Sequence, residues 1–342
     1  MKDRTSMMFP ELTTEGPDTI SADTASLVSL GLMAQQMLIF LLRIFALVTG
    51  ILNVLTFAML DLNQGVNYNL LLLSVSDLWA VTTTLAGFIC SVFLTSGYYY
   101  VAGVSVVRVW LIFRALMNYP LSISFVVTSV IAVVRCLCVT MPLSFRDIVT
   151  SGRQLIIITV GSFLSLCLPL YVHLYGYIYT ADTNGNSSQT TSLDPEEGNS
   201  YIYYLFTTTF YCICFIINVF SMVILSVSLK MSSKFQISMT KAETTERARK
   251  KFSRREAKVM KTVISLLAAS FFCSMPLIVL SVSKLAIPEL GSSSYYKNRK
   301  QLVEFFAGCG VFLSVGLNLP IYYLYNNQYR LVLKSMFRRS SV

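Results

Sequence analysis

Residues 70–94 read LLLLSVSDLWAVTTTLAGFICSVFL, a long run whose one charged side chain is Asp77. Such a run matches a helix crossing about 30 Å of hydrocarbon at about 1.5 Å per residue. Comparable runs occupy Met37 to Leu60, Ala115 to Val134, Leu155 to Tyr179, Tyr201 to Leu229, Thr262 to Ser283 and Phe305 to Tyr325, making seven candidate spans. The whole chain agrees: of 342 residues, 54% are hydrophobic and 13% charged, with mean hydropathy +0.63, where a water-soluble domain carries roughly twice that charged share. Strands crossing a membrane need about ten residues of strict alternation, and no such pattern occurs. A helical bundle is what remains, because a spanning segment must satisfy its own backbone hydrogen bonds. The expected fold is therefore all-α, a bundle of seven membrane-spanning helices.

The segments between the spans orient it. Lys230 to Lys261 holds eleven Lys and Arg against Glu243, Glu246 and Glu256, a net of +8, and the tail adds Arg330, Lys334, Arg338 and Arg339. The first 34 residues net −3, and Tyr179 to Ser200 carries four acids and no base. Positive charge stays on the cytoplasmic side, so the N-terminus is expected outside and the C-terminus inside. Nothing in residues 1 to 36 resembles a secretory signal, so the first span is expected to direct insertion. Asn186-Ser187-Ser188 is a glycosylation sequon in the acidic segment. Tyrosines gather at the same proposed rim, at Tyr98 to Tyr100, Tyr175, Tyr177, Tyr179, Tyr201, Tyr203, Tyr204, Tyr295 and Tyr296. The net charge of +10 is read as this topology signal, with anionic inner-leaflet lipid as the acidic partner and no nucleic acid. All eight cysteines fall within the spans or at their ends, and neither a disulfide nor a metal site is assigned.

Intramembrane polar groups cost about 2.5–3.5 kcal/mol when charged, so function concentrates at them. Asp77 lies in span two, Asn53 in span one and Asn318 in span seven, all toward the cytoplasmic half. An acid with two amides can satisfy its lone pairs from their NH2 donors, as an interhelical staple, or can hold a cation with water. In span three, Arg114, Met117, Leu121, Ser124, Thr128, Ile131 and Arg135 recur at steps of three and four and share one face. That face is read as turned to the bundle interior, with Arg114 at the outer mouth and Arg135 at the inner one. Pro120, Pro169, Pro276 and Pro320 are expected to bend their helices.

The phrase Arg135-Cys136-Leu137-Cys138-Val139-Thr140-Met141-Pro142-Leu143 resembles the inner end of helix three in the rhodopsin-like (class A) G-protein-coupled receptors. Gly50 to Val54, Leu73 to Leu78 around Asp77, Cys273-Ser274-Met275-Pro276 and Asn318-Leu319-Pro320-Ile321-Tyr322 are similar to that family's motifs in helices one, two, six and seven. Tyr329-Arg330 then opens what resembles its short amphipathic cytoplasmic helix 8. The resemblance covers residues 35 to 337. The helix-three wording and the phrase Arg254 to Val263 are especially similar to gastropod chemosensory receptors. The resemblance implies an extracellular tail (1–35), a receptor domain (36–326) and a cytoplasmic helix with tail (327–342), in the plasma membrane. Departures are equally specific: Val134 replaces the usual acid before the arginine, Ser274 the helix-six tryptophan, and Trp110 the usual outer cysteine. The helix-four tryptophan and helix-five proline are missing.

What the resemblance implies is a receptor coupling a chemical or peptide ligand outside to a heterotrimeric G protein inside, by outward movement of helix six. It assigns coupling to Arg135, Pro142, Glu256, Lys258, Asn318 and Tyr322, with Arg135 pairing Glu256 in the closed state. Asp77, Ser124, Ser314 and Asn318 match the family's sodium pocket, and no other cofactor is implied. Arg114, Met117, Asn118 and Glu304 are the candidate ligand residues, where Arg114 either binds an anionic group or pairs with Glu304. Met117 in place of an acid argues against amines, and the absence of lysine from Gln301 to Leu333 excludes a retinal Schiff base. Helical Glu243/Arg247 and Glu246/Lys250 spacing marks the basic segment as either a partner surface or a lipid-headgroup contact. The rival class is a multi-span transporter or a ligand-gated channel subunit. An enzyme is not expected, since no nucleophile converges with a base.

Overall fold

A computed structural model describes residues 22–60, 65–101, 104–140, 152–164, 197–238, 246–287 and 297–339. The helices are α1 (Ala22–Ala58), α2 (Gly65–Thr95), α3 (Val106–Thr140), α4 (Gly152–Leu164), α5 (Glu197–Ser238), α6 (Glu246–Ala286), α7 (Lys297–Tyr325) and α8 (Asn327–Arg339). Six of them, all but α4 and α8, are long and apolar enough to cross a membrane. The described part of the fourth candidate span is shorter, reaching only Leu164. The expected all-helical fold has one exception among the described residues. Two short strands, β1 (Tyr100–Val101) and β2 (Val104–Ser105), pair antiparallel between α2 and α3, with Tyr100 opposite Ser105. Gly97, at φ +83°, turns the chain out of α2 toward them, a conformation that favours glycine.

The helices close into a ring: α1 packs on α2, α2 on α3, α3 on α5, α5 on α6, α6 on α7, and α7 back on α1. Against α2 and α3 lies α4, where Asn69 Nδ2 donates to Gln154 Oε1 at 2.8 Å and Ile158 joins the core. Apolar side chains cover both surfaces of the ring. Phe57, Leu70, Val127, Leu225, Leu267 and Tyr322 form the interior, while Leu41, Val48, Leu55, Ile213, Phe220 and Val227 face outward and stay exposed. Such a surface is untenable in water and fits a bilayer, where the outer face meets hydrocarbon.

Lipid removes the ordinary hydrophobic drive between helices, so close packing and polar cross-links hold the ring together. The links include Ser122 with Tyr211 at 3.3 Å between α3 and α5, and Thr208 Oγ1 donating to the Ser281 carbonyl at 3.3 Å between α5 and α6. Between α6 and α7 the decisive residue is Gly310, where an added Cβ would run into the backbone carbonyl of Cys273.

Gly310→Ala is therefore expected to cost about 1–3 kcal/mol of stability through overpacking. Gly308→Ala, whose new methyl would sit 3.7 Å from Ile39 Cδ1, should leave stability unchanged. Thermal unfolding of the purified protein in detergent compares the two.

Candidate functional site

Chain order places Asp77 near the middle of α2, in Leu73-Ser74-Val75-Ser76-Asp77-Leu78, with Ser74 and Ser76 turned back onto the backbone carbonyls of Leu70 and Leu73. The Asp77 carboxylate is 5% exposed. Ser124 Oγ of α3 donates to its Oδ1 at 2.5 Å, and Asn318 Nδ2 of α7 donates to its Oδ2 at 2.9 Å. One buried acid thus joins three helices, with a donor for each oxygen. Ser314, half-buried, stands one turn from Asn318 on α7.

Asn53 does not complete that set. Its Oδ1 instead accepts a 2.6 Å hydrogen bond from the Tyr329 hydroxyl of α8. Burial pushes the Tyr329 phenol up to about 12, against a smaller opposing effect of the Thr56 hydroxyl, so it keeps the proton that it donates. The α8 helix is placed for this by Asn326, whose side-chain Oδ1 accepts the Tyr329 N–H at 3.2 Å as an N-cap. Tyr322, Tyr329 and Phe57 form an aromatic triad with centroids 4.9–5.5 Å apart. The Tyr322 hydroxyl is fully buried beside Ser74 without a well-formed hydrogen bond.

At this end of the bundle, a cleft of about 290 Å³ opens between α2, α6 and the α7–α8 junction, lined by Asn67, Lys258, Thr262, Tyr325, Asn326 and Gln328. Arg135 lies near the same end of α3, half-buried and engaged with neighbours. Glu256 lies on α6, but its side chain, and Pro142 altogether, fall outside the described residues, so the expected Arg135–Glu256 pair does too. At the opposite end, Glu304 is exposed and pairs with Lys284 of α6 at 3.1 Å. The side chains of Arg114, Met117 and Asn118 on α3 fall outside the described residues, as does Asn186.

Two residues escaped the sequence reading. Tyr329 was legible only as a motif position, because nothing local shows that its hydroxyl reaches Asn53. Arg43 was overlooked although its signal was present: a lone cation inside the run MLIFLLRIFALV of α1, on the turn between buried Ile39 and Ala46. Its guanidinium lies 4.7 Å from the Phe88 ring centroid on α2 and 5.2 Å from that of Phe312 on α7.

Among protein families, residues 49–315 match the 7 transmembrane receptor (rhodopsin family) description. No curated protein matches the chain.

Removing one donor from each polar junction tests the geometry. Asn318→Leu strips the charged Asp77 Oδ2 of its partner and should cost about 1.5–3 kcal/mol, whereas Tyr329→Phe loses one hydrogen bond to a neutral amide and should cost about 1 kcal/mol. Equal losses in thermal unfolding would contradict the different weights given to the two junctions.

Proposed function

The chain belongs to the rhodopsin family of seven-transmembrane receptors, which are receptors rather than enzymes, and on that footing we propose that it couples an extracellular small-molecule or peptide ligand to a heterotrimeric G protein. The observation that carries this reading is the convergence at the α8 end. There Asp77, Asn318, the Tyr322 triad and a cleft lined by Lys258 lie along one route through the bundle. In this reading that end is cytoplasmic and the N-terminus extracellular, in the plasma membrane, with the acidic segment carrying Asn186 open to glycosylation. Segment 230–261, net +8, then faces anionic inner-leaflet lipid.

Pro276 interrupts the α6 ladder, since it supplies no N–H and crowds the carbonyl one turn earlier. The inner half of α6 pivots there, moves away from α3 and widens the cleft for the G protein. Arg135 loses Glu256 in that movement and turns to the partner or to Tyr322, while Pro142 and Lys258 border the opened surface. Val134 stands where the resembling receptors carry an acid, so no carboxylate next to Arg135 in the chain adds to its pairing with Glu256 in the closed state, and basal signalling is high.

Asp77, Ser124, Ser314 and Asn318 supply a carboxylate, two hydroxyls and an amide carbonyl. That set of hard oxygens fits a sodium ion, which would supply positive charge against Asp77 and favour the closed arrangement. Ligand enters at the opposite end, beside Arg114, Met117 and Asn118. Glu304 pairs with Lys284, and Arg114 is the residue assigned to an anionic group of the ligand. The chemosensory assignment rests on the helix-three and helix-six wording shared with gastropod chemosensory receptors.

Nucleotide exchange on G protein in membranes, measured with and without odorant pools, tests this function. Arg135→Ala should abolish basal and evoked exchange, and Asp77→Asn should remove any dependence of the evoked response on sodium. Transport or current without nucleotide exchange would instead favour a transporter or channel.

A further inference from the structure

Arg43 is a full charge in the middle of an apolar span, about 15 Å by helical rise from the start of Met33–Ala58. A lipid-facing arginine at that depth lowers its cost by reaching for the bilayer surface. This one does not. Its side chain sits on the inner side of α1, clamped between Phe88 of α2 and Phe312 of α7. The apolar residues Ile39, Ala46, Val81, Phe312 and Val315 pack together in the same wedge. Ring faces attract the cation, but they are no substitute for the oxygen acceptors that its N–H groups need. Guanidinium Nε and Nη1 are both buried with no hydrogen-bond partner, and no described carboxylate pairs with Arg43. The Asp77 carboxylate, also buried within the ring, accepts from Ser124 and Asn318 rather than from Arg43. Burying guanidinium donors unsatisfied is costly, and the planar fork that they form is the group that receives a carboxylate.

We propose that Arg43, between Phe88 and Phe312, is the anion-receiving residue of a binding site in the α1–α2–α7 wedge, and that its ligand is an anionic amphiphile. The head group is a carboxylate or phosphate accepting from the guanidinium edge. The tail is apolar, because the exposed α1 side chains beside Arg43, Leu41, Ile44 and Phe45, offer an amphiphile contact area while a small hydrated anion would enter with its desolvation uncompensated. The site is built on α1, α2 and α7 and draws no residue from α3. Since it is defined by binding, it stands or falls independently of G-protein coupling. The anion can arrive as a free fatty carboxylate or as a bilayer lipid, and the two share this chemistry.

Binding is read on the full-length protein in nanodiscs of neutral phosphatidylcholine, by thermal shift and by titration with laurate, dodecanol and dodecyltrimethylammonium. These share a tail length and differ in the head. The expected result is that laurate binds at least about tenfold tighter than the other two, as charge-assisted pairing predicts, and that Arg43→Gln erases the preference. Phe88→Leu keeps the charge and should weaken laurate without reversing its lead, which holds the test open should Arg43→Gln fold poorly. Stabilisation of the wild type by phosphatidylglycerol in the nanodisc, with loss of free laurate binding, would assign the same site to a bilayer lipid. No preference for the anion in the wild type, or a preference unchanged in Arg43→Gln, overturns the proposal.

Discussion

The Asp77 carboxylate, gripped by the Ser124 hydroxyl and the Asn318 amide, is the junction through which the rest of the bundle is referenced. A buried acid of this kind must be satisfied from within, because neither lipid nor bulk water reaches it. Satisfying it fixes how α2, α3 and α7 are rotated about their own axes, since each must present one polar side chain to a single point. The remaining helices are placed relative to those three: α4 through Gln154 onto α2, α5 through Tyr211 onto α3, and α6 through its close approach to Gly310 of α7. In a medium that gives apolar helices little reason to associate, such contacts and tight packing set the arrangement.

A second junction, a few turns away, ties the end of the chain into the same bundle. Asn326 ends α7 and caps α8, so that Tyr329 is delivered under Phe57 and onto Asn53. Tyr322 shares that aromatic cluster but holds a buried hydroxyl without a well-formed bond. A fully satisfied partner on one side and an under-used one on the other make an asymmetric joint: Tyr329 is anchored, and Tyr322 has hydrogen bonding to gain by moving. Under the proposed function, this is the joint that opening of α6 would release.

Asp77 and Arg43, both charged groups within the ring, are treated in opposite ways. Asp77 has a donor on each oxygen, whereas Arg43 has rings on its faces and no acceptor for two of its nitrogens. The first arrangement has a protein donor on each oxygen and, under the proposed function, leaves only its charge for a sodium ion. The second is complete only when an anion joins it, which is the physical basis for placing a ligand in the α1–α2–α7 wedge.

The helical class, six of the seven candidate spans and the candidate polar positions were legible in the chain, because length and hydropathy are local quantities that a bilayer reads directly. Asp77 and Asn318 could be singled out for the same reason: a polar group in an apolar run declares itself whatever surrounds it. Arg43 met that criterion too and was passed over, so the signal was there without the tertiary setting that gives it meaning. The pairing was legible only in part. The resemblance already grouped Ser124 and Asn318 with Asp77, and both donate to it; Asn53, weighed as a second amide for Asp77, accepts from Tyr329 instead, because the two amides lie on different helices whose rotation no local pattern encodes. Glu304 likewise pairs with Lys284 across the α6–α7 contact, a choice decided by which helix is adjacent in space. The sequence by itself determined which segments are helical and which side chains are too polar for lipid. The tertiary structure decided which of those side chains meet, because hydrogen bonds of a few ångströms depend on helix rotation and register, which arise only when the whole ring closes.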